Sequence, residues 1–170
     1  MVDYTEMSEK RCTKHQMWLR VAATLASRSH DDRTKVGCVI MDGQLDVVLG
    51  TGYNGNYAGG PNQRDEQDAS SSGMSGLIHA EINALVRNGG AVHMAAMLGK
   101  KLGIMFVTHA PCRACANTII ASGLIREVYY AGVYKLREGA DDWSGVELLE
   151  RAGIMTKGVH MQTVRDADLS

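Results

Sequence analysis

The amino-acid sequence predicts one α/β domain, a mixed five-stranded sheet with helices on both faces. Three observations lead there. The chain has 170 residues, about the length of a single domain. It is 45% hydrophobic and 22% charged, ordinary for a globular domain, which excludes a disordered tail, a collagen-like rod or a coiled coil. After an opening hairpin, apolar runs of strand and helix period alternate along the chain, the pattern of a sheet covered by helices. No internal repeat or linker breaks the alternation, so the domain is expected to span residues 1–170.

The elements follow in order. Within residues 8–29, Met17, Trp18, Val21, Ala22 and Leu25 recur at helical spacing. Residues 36–41 and 46–50 are β-branched runs on either side of Asp42-Gly43, a hairpin signal. Gly50, Gly52, Gly55, Gly59 and Gly60 then crowd together. Residues 61–76 are polar and aperiodic, a long loop of the kind that is often functional. A second helix is predicted over 77–88, stopped by Gly89-Gly90. Residues 91–101 read as a short helix plus loop, and 102–108 as a strand. Pro111, favoured in a first turn, opens a third helix that ends at Ser122-Gly123. A strand over 125–131, a helix over 144–152 and a strand over 156–164 complete the pattern.

Charge and composition narrow the function classes. Eighteen basic against nineteen acidic residues leave a net charge of −1, so no domain-wide positive field holds a polyanion. Only 5% of residues are aromatic, few platforms on which a single strand could stack. No stable nucleic-acid binding is expected. No apolar run approaches the roughly 20 residues of a membrane span, and the polar start of the chain lacks a secretory core. Cys12, Cys38, Cys112 and Cys115 do not form a dense disulfide framework. Their spacing suits a reducing cytoplasm and a metal-binding or redox-active close pair.

One constellation carries chemistry: His79-Ala80-Glu81, then Pro111-Cys112-Arg113-Ala114-Cys115. Histidine and cysteine thiolates are standard zinc ligands. Residues two apart diverge by about 200° within a helix, so His79 and Glu81 can serve one site only from a helix start. Two converging helix N-termini would favour thiolates and lower cysteine pKa values. His79, Cys112 and Cys115 make three ligands, and a catalytic zinc keeps its fourth position for water. Such a metal would lower the pKa of that water towards about 7, with Glu81 placed to take its proton. Other readings stand beside this one. Cys-x-x-Cys also fits a redox dithiol. A structural zinc with Cys12, Cys38, His93 or His109 as fourth ligand would leave Glu81 dispensable. Taken together, His-x-Glu and Pro-Cys-x-x-Cys form the signature of the zinc nucleobase deaminases.

The resemblance extends further. His79-Ala-Glu-Ile-Asn-Ala84, Thr108-His-Ala-Pro-Cys-Arg-Ala-Cys115 and Thr51-Gly-Tyr-Asn-Gly-Asn-Tyr-Ala-Gly-Gly60 resemble the deoxycytidylate (dCMP) deaminases over about residues 27–134. The zinc motifs are shared with other deaminase branches. Gly-Tyr-Asn-Gly, Ser27-Arg28-Ser29 and Lys35-Val36-Gly37 single out the dCMP branch. The resemblance implies a cytidine-deaminase-like three-layer fold and hydrolysis of dCMP to dUMP plus ammonia. It implies that His79, Cys112 and Cys115 hold zinc, and that Glu81 protonates ring N3 and then the departing amine. Asn54 would bind the nucleoside part, and the Ala80 backbone the base edge. For the phosphate, an Arg fork and hydroxyls suit a monoester, which makes Arg28, Thr34, Tyr134 and Lys135 the candidates. No Cys or His lies between Asn54 and His79, so one zinc per chain is expected, without the second, structural zinc of some relatives. Tyr57 stands where the family often has proline. The resemblance further implies a homohexamer that supplies dUMP for thymidylate synthesis, activated by dCTP with Mg²⁺ and inhibited by dTTP. Gly55, Asn56, Gly59 and Gly60 are the candidate effector loop, because glycines let backbone N–H groups approach phosphates. The runner-up function is deamination of another cytosine compound: dCTP, deoxycytidine or a nucleic-acid base.

Overall fold

A capping box sets the start of the first helix, α1 (Lys14–Ala26): the Gln16 N–H donates to Thr13 Oγ1 at 3.2 Å, and the Thr13 N–H to Gln16 Oε1 at 2.9 Å. The structure, a computed structural model, describes residues 12–61, 63, 76–87, 103–134 and 141–159. The chain continues through β1 (Gly37–Met41), β2 (Val48–Tyr53), α2 (Ala80–Arg87), β3 (Gly103–His109), α3 (Arg113–Ser122), β4 (Ile125–Gly132), α4 (Ser144–Arg151) and β5 (Met155–Gly158). The five strands form one sheet in the order β2-β1-β3-β4-β5. Strand β1 runs antiparallel to β2 and β3, whereas β3, β4 and β5 are parallel. The predicted mixed α/β sheet is present.

Period-two alternation builds a core on each face. Cys38 and Ile40 of β1, with Met105 and Val107 of β3, join Ala80 and Ala84 of α2, Ala116 and Ile119 of α3, and Val146 and Leu149 of α4. Their strand neighbours Val39, Met41, Ile104 and Phe106 pack on the opposite face with Leu19 and Ala22 of α1. Both central strands are therefore apolar at successive positions, as strands covered on both faces must be.

Register decides where the loops meet. Gly37 pairs with Tyr53, Cys38 with Val107, and His109 with Gly132. The start of β1 and the ends of β2, β3 and β4 therefore share one end of the sheet. That end gathers the segment after α1, the turn after Tyr53, the Pro111 segment and Tyr134. Close approach at this end requires Gly37: a Cβ there would stand 1.9 Å from the Ala22 carbonyl oxygen of α1.

Several boundaries differ from the sequence reading. Pro111 lies outside the third helix. Cys112 is its N-cap, with extended backbone (φ −68, ψ 169), and Arg113 is the first helical residue. The hairpin connection runs two residues further than the sequence reading places it. Asp42 Oδ1 accepts the N–H groups of Asp46 and Val47 at 2.8 and 2.9 Å, and Leu45 adopts φ +63. That longer turn buries Leu45 beneath α1 and delays β2 to Val48. Helix α2 starts three residues after the predicted position, and β5 ends at Gly158. Gly123 does close α3 in the left-handed region, φ +66. Residues 8–11, most of the 61–76 loop, the 91–101 segment and residues 160–164 lie outside the described residues. Among the described residues no helix is long and apolar enough to cross a membrane.

Candidate metal centre

Two helix starts face one another at the loop-rich end of the sheet. The His79 carbonyl accepts the Asn83 N–H at 3.0 Å, which puts His79 at the cap of α2. The Cys112 carbonyl accepts the Ala116 N–H at 2.9 Å in the same way at α3. The Cys112 side chain makes no capping hydrogen bond, and its sulfur turns towards His79 and Cys115. His79 Nδ1 lies 3.2 Å from Cys115 Sγ and 3.6 Å from Cys112 Sγ. All three ligand atoms fall within 4.8 Å of one another. A tetrahedral zinc with bonds of about 2.0–2.3 Å separates neighbouring donors by roughly 3.3–3.8 Å. The donor set and its spacing fit that ion. No fourth protein ligand joins the group among the described residues. Cys38 is fully buried in the core, and Cys12 and His109 stand apart from the cluster. The structural-zinc readings through those three residues are thereby removed, while His93 lies outside the described residues.

Charge behaviour matches a metal cradle. The Cys115 thiol donates to the Cys112 sulfur, which holds Cys112 down to about 4 and pushes Cys115 up. Zinc held by both sulfurs would require both as thiolates, so its binding would release protons. Glu81, in the first turn of α2, is 4% exposed. Burial, opposed by its own backbone N–H and by His79, pushes its carboxyl up to about 7. A carboxyl that exchanges its proton near neutrality, beside but outside the three-donor group, is equipped for proton transfer.

Residues to which the sequence reading gave no role at the site hold these helix starts in place. Helix α2 rests on Gly50 and Gly52, where a Cβ would stand 2.4 Å from the carbonyl oxygens of Ala84 and Ala80 respectively. Asn83 Nδ2 donates to the Tyr53 carbonyl at 2.9 Å, tying α2 to the end of β2. In α4, a Cβ on Gly145 would stand 1.9 Å from the Pro111 oxygen and 2.8 Å from the Cys112 carbonyl carbon. The glycine pattern was visible in the sequence, but its partners are distant along the chain.

The remaining candidates divide. Asn54 is 6% exposed and leads into Gly55, which forms a two-way backbone bridge with Ile78 next to His79. Ala80 is the first helical residue of α2, where N–H groups have no helical acceptor. Thr34 is half-buried and Arg28 exposed, both in the segment between α1 and β1. Tyr134 stacks on His109 at 4.9 Å. Burial, then the charges of Glu81, Cys112, Cys115 and Asp31, raises its hydroxyl above the ordinary phenol range. Lys135 lies outside the described residues. In the candidate effector loop, the N–H groups of Gly55, Tyr57 and Gly60 already donate to Ile78 O, Asn56 Oδ1 and Tyr57 O. Gly59 supplies a left-handed turn at φ +84, and Asn56 Nδ2 donates to the Pro61 oxygen. These hydrogen bonds hold the shape of the loop and engage three of its N–H groups.

A three-layer domain with one imidazole, two thiolates and a buried carboxyl at paired helix starts defines a zinc-dependent hydrolytic enzyme. Residues 12–132 match the family model described as the cytidine and deoxycytidylate deaminase zinc-binding region. The chain belongs to that family. It is 31% identical to ComE operon protein 2 of Bacillus subtilis over 89% of its length and 74% of that protein's. Against the deoxycytidylate deaminase of Mycobacterium phage D29 it is 34% identical, over 67% of this chain and 91% of the relative. The crystal structure of the cyanophage S-TIM5 dCMP deaminase in complex with dCMP and dUMP shares the fold. Its TM-score is 0.66 at 24% identity, covering 89% of this chain and all of that one.

Two substitutions test the cradle by elemental analysis under a chelator challenge. Cys112→Ala is expected to lose zinc outright. Gly145→Ala is expected to keep all three ligands but release zinc faster than wild type, because its Cβ displaces the Pro111–Cys112 backbone. Unchanged zinc retention in Gly145→Ala would show that α4 does not set the position of Cys112.

Proposed function

We propose that the protein hydrolyses dCMP to dUMP and ammonia. The observation that carries this reading is the His79–Cys112–Cys115 group, closed to within 4.8 Å with Glu81 buried in the adjoining helical turn. Family membership supports it, as do the deoxycytidylate deaminases among the relatives and the structural neighbour solved with dCMP and dUMP. Zinc held by the three ligands would supply an activated water at neutral pH. Glu81 takes a proton from the attacking water and passes it to ring N3. It then takes the remaining proton from the new C4 hydroxyl and gives it to the 4-amino group, so that the C–N bond breaks, ammonia leaves and the C4 oxygen becomes the carbonyl. The first-turn backbone at Ala80 holds the base edge, and Asn54 holds the sugar. Arg28, Thr34, Tyr134 and Lys135 are the phosphate contacts in this reading; the first three belong to segments at the same end of the sheet.

The enzyme supplies dUMP for thymidylate synthesis as a cytoplasmic homohexamer of one-domain chains, activated by dCTP with Mg²⁺ and inhibited by dTTP. The 55–60 loop supports an effector site by its connections: it follows Asn54 directly and is bridged through Gly55 to Ile78, beside His79. An effector bound there would act on both sides of the substrate site. Its contacts would come from groups other than the three N–H donors already engaged within the loop.

Ammonia release from dCMP, dCTP, deoxycytidine and a cytosine-containing oligonucleotide tests the substrate. Turnover is expected for dCMP, with deoxycytidine far poorer; equal turnover of deoxycytidine would make this a nucleoside deaminase. Glu81→Gln is expected to retain zinc and fold while losing activity by at least about 10²–10⁴-fold, and near-normal turnover would remove Glu81 from the chemistry. For regulation, dCMP kinetics are expected to be sigmoidal, becoming hyperbolic with dCTP. Hyperbolic kinetics indifferent to dCTP and dTTP would leave the enzyme unregulated.

A further inference from the structure

The Asn54 amide is almost fully committed inside the protein. Its Oδ1 accepts the Val36 N–H at 2.8 Å, and its Nδ2 donates to the Thr34 carbonyl at 2.9 Å and to Asp31 Oδ2 at 3.0 Å. A primary amide has two N–H donors and two acceptor lone pairs. Both donors are spent, so only one lone pair on Oδ1 is left for a ligand. The amide cannot turn over. Reversed, its NH₂ would face the Val36 N–H, and its oxygen would face both the Thr34 carbonyl and the Asp31 carboxylate.

Asp31 is itself held on every side. It is 3% exposed, and its Oδ1 accepts the N–H groups of Arg33 and Thr34 at 2.9 and 3.2 Å. Its own N–H donates to Ser29 Oγ at 3.1 Å, and that hydroxyl donates to the Asn54 carbonyl at 2.8 Å. A buried anion with this many fixed donors is rigid. Asn54, which it holds, leads into Gly55 and its backbone bridge to Ile78, next to His79.

We propose that Asp31 is a positioning residue that locks Asn54 as an acceptor-only contact, so the substrate must present a hydrogen-bond donor there. The inference rests on the dCMP reading and deepens it. The base and sugar of dCMP carry two donors. The 4-amino group must lie at the metal cradle to be displaced, so the 3′-hydroxyl is the donor that Asn54 accepts. Specificity for the sugar is then set by a carboxylate that does not touch it.

The test is a chemical double-mutant cycle on the zinc-loaded enzyme. Wild type is assayed with dCMP, its 3′-deoxy analogue and its 3′-fluoro analogue, which is close in size to the hydroxyl but donates nothing. Both analogues are expected to lose at least about fivefold in kcat/KM. Asp31→Asn keeps the Oδ1 acceptor for Arg33 and Thr34 but sets an NH₂ against the Asn54 NH₂. It is expected to raise KM for dCMP about tenfold or more with a smaller change in kcat, at unchanged zinc content, and to abolish the preference for the 3′-hydroxyl. Wild-type KM and preference in a zinc-loaded Asp31→Asn enzyme would overturn the proposal alone. Equal kcat/KM for all three nucleotides in wild type would also overturn it, without any variant needing to fold. No turnover of dCMP by wild type would overturn both this proposal and the reading it rests on.

Discussion

Everything at the loop-rich end of the sheet depends on how closely α2 can lie on β2. The imidazole of His79 belongs to the first residue before a helix, and it reaches the thiolates only if that helix start sits low against the sheet. Gly50 and Gly52 permit this, because their missing side chains leave room for the Ala84 and Ala80 carbonyls. Asn83 and the Gly55–Ile78 bridge then tie the helix start to the turn that carries Asn54. The thiolate side is set in the same manner, with Gly145 of α4 against the Pro111–Cys112 backbone. Three backbone-to-backbone contacts, each too short for a Cβ, thus fix the separation of the ligand atoms. Such contacts resist compression and have few alternative arrangements, which suits a centre whose ligands must be placed within fractions of an ångström.

Two polar arrangements divide the work at that end. The metal cradle concentrates groups that can change protonation, Glu81 foremost. The Asp31–Asn54 network contains groups whose donors and acceptors are paired with backbone and with each other. The contrast has a physical logic. A proton carrier needs a pKa near the operating pH, which burial gives Glu81. A recognition group needs one fixed polarity, and buried hydrogen bonds to backbone supply it.

Much of this was legible in the sequence because it is written in local chemistry. His79-x-Glu81 and Pro111-Cys-x-x-Cys115 announce two helix starts bearing ligands, and both helices begin there. The buried strands at 37–41 and 103–109 showed as continuous apolar runs. Losses came where distant contacts override local signals. Asp42-Gly43 marks the hairpin, but the connection runs on to Val47, with Leu45 in a left-handed conformation and buried beneath α1. Pro111 reads as a first-turn residue, but Cys112 must remain extended to aim its sulfur at His79. The glycines at 50, 52 and 145 were plain to see, but no local rule says which backbone each admits. Asn54 was legible as a polar site residue offering both donor and acceptor. Its commitment to Asp31, 23 positions away, was not.

The central claim is that two cap-position ligands and a thiolate one turn further on hold a single zinc with one position left for solvent. X-ray absorption at the zinc edge of the purified protein tests it most directly. The account predicts two sulfur scatterers at about 2.3 Å and two nitrogen or oxygen scatterers at about 2.0–2.2 Å. Three or four sulfurs around the metal, or a closed set of four protein ligands, would contradict it.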